Sequence, residues 1–264
     1  MSNWHEICWL TTNWLSIVND TSNDHFVKVL NSSGDEIASY DVGIYPGDFI
    51  AWNDSYVFVA NEGNYGASNG SISIIDNNGN VNNTGVIGDV VQSLEIFYGD
   101  GVDKLIVLVN NSHKIKIFNI IPNQGLAMPG IEVETGNSSP REMVIVGQKV
   151  YFTNWDTQDI KVFNLVSYEI ENSIFISAGL PEDIITDGYS LYVAIPNIEK
   201  YDRNLGSDVI KVSINNLSIQ DTYNVGFGPE VLTFSDVGNL YVAHRTYSED
   251  WHTTYHGTSK IITP

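Results

Sequence analysis

The densest set of reactive side chains in the 264-residue chain lies near its end, where His244 precedes Arg245, Tyr247, Glu249, Asp250, Trp251, His252, Tyr255 and His256. Imidazole is a frequent metal ligand at neutral pH, so His244, His252 and His256 are candidate ligands for a divalent cation. Such a centre, with nearby carboxylates, would support metal-dependent hydrolysis or a lyase reaction. The four-residue spacing of His252 and His256 joins two imidazoles only on a helix, however, and no helical period surrounds them. Read as a ligand-binding loop, the same stretch offers His244, Arg245 and Trp251 as anchors, because aromatic rings beside charges suit recognition. An ordinary ordered surface loop is the third reading.

Related compositions occur at Asn61-Glu62-Gly63-Asn64-Tyr65-Gly66, Asn154-Trp155-Asp156 and Glu199-Lys200-Tyr201-Asp202-Arg203. Tyr65 and Trp155 suit stacking on a flat ligand, with Asp156, Tyr201 and Arg203 placed to engage its rim. The asparagines Asn61, Asn110 and Asn154 read more simply as Asx caps at strand ends. An acidic residue also heads six apolar runs: Glu6, Asp48, Glu95, Glu142, Glu182 and Glu230. These carboxylates would either accept backbone N–H bonds from a neighbouring loop, the favoured reading, or form a negative ring that holds a cation.

Linear enzyme signatures are missing: no nucleophile elbow, no His-Glu-x-x-His, no phosphate-cradling loop and no dinucleotide fingerprint. Asp and Glu total 32 against 12 Lys and Arg, a net charge of −20. That field disfavours nucleic acids and anionic bilayers, which are held by dense basic contacts. Cys8 is the single cysteine, excluding an intrachain disulfide and a cysteine-based zinc site, and its apolar surroundings suggest a buried small hydrophobe. The opening residues have no basic and apolar segments of an export signal, and no run is long enough for a membrane helix.

The elements that position these groups emerge from a repeat. A β-rich phrase ending in a small or polar residue recurs at Leu15-Ser16-Ile17-Val18-Asn19, Val57-Phe58-Val59-Ala60-Asn61, Val107-Leu108-Val109-Asn110, Tyr151-Phe152-Thr153-Asn154, Leu191-Tyr192-Val193-Ala194-Ile195 and Leu240-Tyr241-Val242-Ala243-His244. An acid-headed apolar run precedes each phrase. An alternating run such as Lys114-Ile115-Lys116-Ile117-Phe118 follows, and a weaker fourth run closes five of the units. A period of about 45 residues fits a four-stranded blade. The expectation is therefore an all-β, six-bladed β-propeller of four-stranded antiparallel blades, the last one three-stranded or borrowing an edge strand. One domain over 1–264 would hold blades at approximately 5–43, 47–90, 94–136, 141–179, 182–226 and 230–264. In such a meander the first-strand heads and the second-to-third loops share one face. Those loops are the long, variable ones, so any site is expected there.

The repeats resemble the bacterial YVTN family of propeller repeats, through Ser71-Ile72-Ser73-Ile74-Ile75-Asp76 and through Pro229-Glu230-Val231 with Leu240-Tyr241-Val242-Ala243. A narrower resemblance, carried by the Asn61–Gly66 phrase, Asn110-Asn111-Ser112-His113 and Ser139-Pro140-Arg141-Glu142 with Thr153-Asn154-Trp155, is to exported Bacteroidetes-type propellers. These include surface lipoproteins that capture vitamin B12. That resemblance implies Tyr65, Asn111, Arg141 and Trp155 as ligand contacts and an extracytoplasmic or cell-surface location. The B12-capturing relatives look seven-bladed and carry a lipoprotein signal, features this sequence does not share.

The favoured function is a non-catalytic recognition propeller that binds a small molecule, glycan or protein on the long-loop face. The alternatives are a metal-dependent hydrolase or lyase on the same face, and a structural or assembly propeller. No cofactor is expected, although a bound divalent cation is compatible with the acidic surface. The chain is expected as a monomer or as an assembly through the incomplete last blade.

Overall fold

A computed structural model describes residues 9–10, 13–19, 25–99 and 101–262. Glu6 and Cys8 lie outside the described residues. The chain divides into two compact units, Met1–Asn137 and Ser138–Pro264.

The first unit holds three antiparallel sheets. Strands β1 (Trp9–Leu10), β2 (Asn13–Asn19), β3 (His25–Leu30) and β4 (Glu36–Asp41) form one, paired in sequence order. Strands β5 (Pro46–Trp52), β6 (Tyr56–Asn61), β7 (Gly70–Asp76) and β8 (Val81–Gly88) form the next. The third contains β9 (Val91–Phe97), β10 (Lys104–Val109) and β11 (Lys114–Ile121), with β12 (Gly125–Leu126) and β13 (Ile131–Glu134) both paired to β11. Alternation explains these strands. In β11 the lysines at 114 and 116 remain partly exposed while Ile115 and Ile117 are buried, the period of a pleated sheet. Phe58, Leu105, Val107 and Phe118 are fully buried in a core shared by the second and third sheets.

The second unit repeats the design with β14 (Pro140–Val146), β15 (Lys149–Asn154), β16 (Asp159–Asn164) and β17 (Glu169–Phe175), and then with β18 (Ile184–Thr186), β19 (Ser190–Ile195), β20 (Asp208–Ser213) and β21 (Ile219–Asn224). Its last sheet has three strands, β22 (Pro229–Phe234), β23 (Leu240–Tyr247) and β24 (Thr254–Ile261). Short turns link first and second strands. At Asp187-Gly188 the aspartate accepts the amides of Tyr189 at 2.8 Å and Ser190 at 2.7 Å, while Gly188 supplies a φ of +88°.

The expectation of a six-bladed propeller with four-stranded blades is corrected: among the described residues five sheets have the four strands of a blade, one of them with a fifth, and the sixth has three. Strands β10 and β19, second in their sheets, are buried almost throughout. Strand β23 alternates buried and exposed, and β24 is mostly exposed. Leu232, Leu240 and Val242 pack with Tyr192, Ala194 and Val209 of the preceding sheet, whereas Val231 and Tyr241 remain exposed. The sheet thus buries one face, and a recurring strand phrase reports pairing rather than burial on both sides. The architecture is propeller-like and all-β, with five blades.

Adjacent sheets are tied at their first strands. The Asp48 carboxylate accepts the Leu94 amide at 2.6 Å, and that of Asp183 accepts the Leu232 amide at the same distance. Asp183→Ala should leave the Leu232 amide without this acceptor and cost roughly 1.5 kcal/mol, a melting temperature lower by about 4 °C. Asp183→Asn, which keeps an acceptor oxygen, should lose less. Equal melting of wild type and Asp183→Ala would show that the bond contributes nothing.

Candidate functional site

The site begins with a backbone detour. Pro140 pairs with Asn154 and Met143 with Phe152, so Arg141 and Glu142 together oppose Thr153. Pro229 pairs with His244 and Val231 with Ala243, which makes Glu230 an extra residue. At the corresponding place in the intervening sheet, the Glu182 amide donates to the Ala194 carbonyl and the Ala194 amide to the Asp183 carbonyl, each at 2.9 Å. A β-bulge of this kind re-aims the side chain it carries. Three successive sheets of the second unit therefore present Arg141, Glu182 and Glu230 from one structural position.

These groups form two Arg–Glu pairs. Arg141 donates Nε to both Glu182 carboxylate oxygens, at 3.2 and 3.1 Å, and Nη2 to Oε1 at 2.6 Å. Its guanidinium stands 4.6 Å from the Trp155 ring centre, and the Glu182 side chain is only 12% exposed. In the second pair Arg245 Nη2 donates to Glu230 Oε1, and the guanidinium lies 5.7 Å from the Tyr247 ring centre. Both modules are thus an aromatic ring, an arginine and a glutamate. Burial pushes the Glu230 carboxyl above its ordinary range. Arg245 opposes that shift, the Glu182 charge adds to it, and Arg141 opposes it again, which places both modules within one electrostatic field.

The modules differ in how their donors are satisfied. Arg141 uses its Nε and Nη2 edge on a single carboxylate, a closed fork. Arg245 Nε and Trp155 Nε1 are buried and, among the described residues, have no acceptor. A buried N–H without an acceptor costs on the order of 1–3 kcal/mol. Donors left in this state beside a charged cluster suit an incoming acceptor.

The surrounding loops brace this row. Asp156 accepts from Ser139 Oγ at 2.5 Å and pairs with Lys200. The Arg203 carbonyl accepts the Tyr247 amide at 3.2 Å, Asn204 donates to the Arg245 carbonyl at 2.8 Å, and Arg203 Nη1 lies 4.0 Å from Glu249. Trp251 tilts over Tyr247 with ring centres 5.1 Å apart. Tyr201, Arg203 and Trp251 all have positive φ, at 65°, 71° and 61°. Non-glycine residues hold that conformation only where surrounding bonds enforce it. Tyr201 projects into solvent.

Tyr65 and Asn111 belong to the first unit. There Asp89, buried, accepts the Gly66 amide at 3.0 Å and Asn111 Nδ2 at 2.6 Å, tying the exposed Tyr65 loop to Asn111. The acidic heads occupy three registers. Asp48 and Glu142 sit opposite Ala60 and Thr153, Glu182 and Glu230 lie one residue earlier, and Glu95 pairs with Ile106 further along its strand.

The three candidate histidines are also distributed. Both ring nitrogens of His244 are engaged, Nδ1 with the Phe227 carbonyl at 3.0 Å and Nε2 with Ser259 Oγ at 2.9 Å. His252 Nδ1 lies 2.6 Å from the Asp250 carbonyl in the β23–β24 turn. His256 pairs with Arg245 while His244 pairs with Gly257, so His244 and His256 point to opposite faces. Among the described residues no group of three or more His, Cys, Asp or Glu side chains is arranged to hold a metal ion.

The sequence reading missed Tyr247 as the partner of Arg245, and Glu182 and Glu230 as arginine partners. A usable signal was present: proline precedes the re-aimed residue in Pro140-Arg141, Pro181-Glu182 and Pro229-Glu230.

No protein-family model matches the chain, and no curated protein does. Solved structures do. A functionally unknown protein from Desulfotomaculum acetoxidans aligns with a TM-score of 0.73 at 14% identity, over 94% of this chain and 83% of its own. A catalytically inactive virginiamycin B lyase from Staphylococcus aureus, solved with quinupristin, aligns at 0.69 and 14% identity over 97% of this chain and 84% of its own. A protein of unknown function from Bacteroides caccae gives 0.61 at 14% identity, over 89% and 84%. At these identities the likeness establishes the fold alone.

Proposed function

We propose that the chain is a non-catalytic recognition module that binds a small molecule at the Arg141–Trp155–Glu182–Glu230–Arg245 row of its second unit. The observation that carries this reading is the pair of buried N–H donors, Trp155 Nε1 and Arg245 Nε, lacking acceptors among the described residues beside two ion pairs that hold them in place. A row with two arginines and two glutamates holds charge in balance, and its rigid geometry favours binding. Glycan and protein ligands stay in the search because the exposed Tyr201 and half-exposed Trp251 flank the loops that brace the row.

A second, catalytic reading has the histidines and carboxylates of the same loops acting on a bound substrate. Engagement of both His244 nitrogens favours the binding reading instead. A thermal-shift screen of the full chain against organic acids, sugars, nucleosides, cobalamin and divalent metal ions tests the proposal. A hit should lose roughly tenfold in affinity in Trp155→Ala, with circular dichroism unchanged. Hits whose affinity is indifferent to Trp155→Ala would remove the row from the binding site.

A further inference from the structure

The two modules are built alike and closed differently, and that difference indicates what is recognised. Arg141 spends both N–H groups of its side edge on Glu182, whereas Arg245 gives Glu230 only Nη2 and keeps Nε buried without an acceptor among the described residues. Trp155 Nε1 is in the same state beneath Arg141. Both open positions are donors, so the groups that complete them must be acceptors. A guanidinium edge with one place taken is matched by a carboxylate oxygen, which forms a charge-assisted bond in the plane of the fork.

Charge narrows the choice further. Two arginines and two glutamates leave the row neutral, and Glu182 and Glu230 already raise one another's electrostatic energy. A doubly charged phosphate would bring both of its charges to a single anchor, with no free cation of the row to offset them. Each carboxylate of an organic acid brings one negative charge to one anchor, and burial together with the Glu182 charge eases protonation of Glu230 while Arg245 and Arg141 oppose it.

Resting on the binding function proposed above, we infer that the site takes an organic acid, with a carboxylate oxygen on Arg245 Nε and a second acceptor of the same molecule on Trp155 Nε1. Its two anchors belong to separate aromatic–arginine–glutamate modules, so the length of the molecule must match their separation.

The test uses the full chain, calorimetric titration and a length series of probes: succinate, glutarate and adipate, with their dimethyl esters and orthophosphate as controls. At least one diacid should bind, its diester and orthophosphate should bind about tenfold more weakly or not at all, and Arg245→Lys should weaken the diacid about tenfold, the size of one charge-assisted hydrogen bond. Trp155→Phe, which keeps the ring and removes the N–H, should cost about fivefold. If Arg245→Lys fails to fold, the Trp155→Phe result decides. Diesters binding as well as diacids, orthophosphate binding better, or diacid affinity indifferent to these substitutions would overturn the inference. So would the absence of binding by all three diacids. Neutral ligands that bind and depend on Trp155 would leave the recognition function standing while removing the acid, whereas no Trp155-dependent ligand of any kind would remove both.

Discussion

Arg141→Ala is expected to destabilise the protein by about 3 kcal/mol and to abolish ligand binding. The substitution strips Glu182, 12% exposed, of its bidentate partner and leaves a half-desolvated carboxylate facing the charge of Glu230. It also uncovers the Trp155 ring, so tryptophan emission should move to longer wavelength. Arg141→Lys should fall between wild type and alanine, because an ammonium cannot supply the Nε and Nη2 edge that grips both oxygens. The double variant Arg141→Met with Glu182→Gln should recover most of the lost stability, since the penalty comes from the abandoned charge rather than from the missing pair. Urea denaturation of the four proteins measures this. Equal midpoints for wild type and Arg141→Ala would show that the pair has no structural weight.

Gly228→Ala is expected to cost on the order of 3–4 kcal/mol and to disable the site in whatever fraction still folds. Gly228 has a φ of +67°, and a methyl group there would stand 2.1 Å from the Arg245 carbonyl oxygen and 2.8 Å from its carbon. These are backbone atoms, so no side-chain rotation relieves the overlap. The Gly228 carbonyl accepts the Arg245 amide at 2.8 Å, and its amide donates to the Gly206 carbonyl at 2.8 Å. Any shift that admits the methyl therefore moves Arg245 away from Glu230. Gly226→Ala is the control: it has a φ of +95° with open space around the added atom, so it carries backbone strain alone, about 1 kcal/mol. Similar melting for the two variants would mean that the close approach to Arg245 is not what requires glycine.

Strand positions were legible in the sequence because burial leaves a period-2 mark, as in Lys114-Ile115-Lys116-Ile117, and because the second strands carry nearly continuous apolar runs such as Leu191-Tyr192-Val193-Ala194. The number of blades was not. Leu240-Tyr241-Val242-Ala243 reads like the other second strands, yet Tyr241 is 40% exposed, and alternation alone does not reveal whether the second face of a sheet finds a neighbour.

The site was half legible. Trp155 and Arg245 stand in phrases marked out by residue type, Arg141 entered only through the resemblance to exported propellers, and the three share one row. The acidic heads looked equivalent because each begins an apolar run, but a bulge adds a residue that no spacing rule announces. At Glu182-Asp183 the two adjacent acids have different tasks: Asp183 holds the Leu232 amide and Glu182 grips Arg141. Which acid does which follows only from the local backbone path. His244, one of the candidate metal ligands, stands between the Phe227 carbonyl and Ser259 Oγ, within hydrogen-bond distance of both.

The extra residue at the first strand of five of the sheets separates architecture from chemistry. Gly47, Gln92, Arg141 and Glu230 all stand where the ladder skips a rung, and Glu182 holds the matching place in its own sheet. The main chain fixes the direction of whatever side chain is installed there, while neighbouring residues such as Asp48 and Asp183 carry the ties between sheets. Selection can therefore rewrite the contents of these sockets one at a time, changing what is recognised while the scaffold that presents them stays the same.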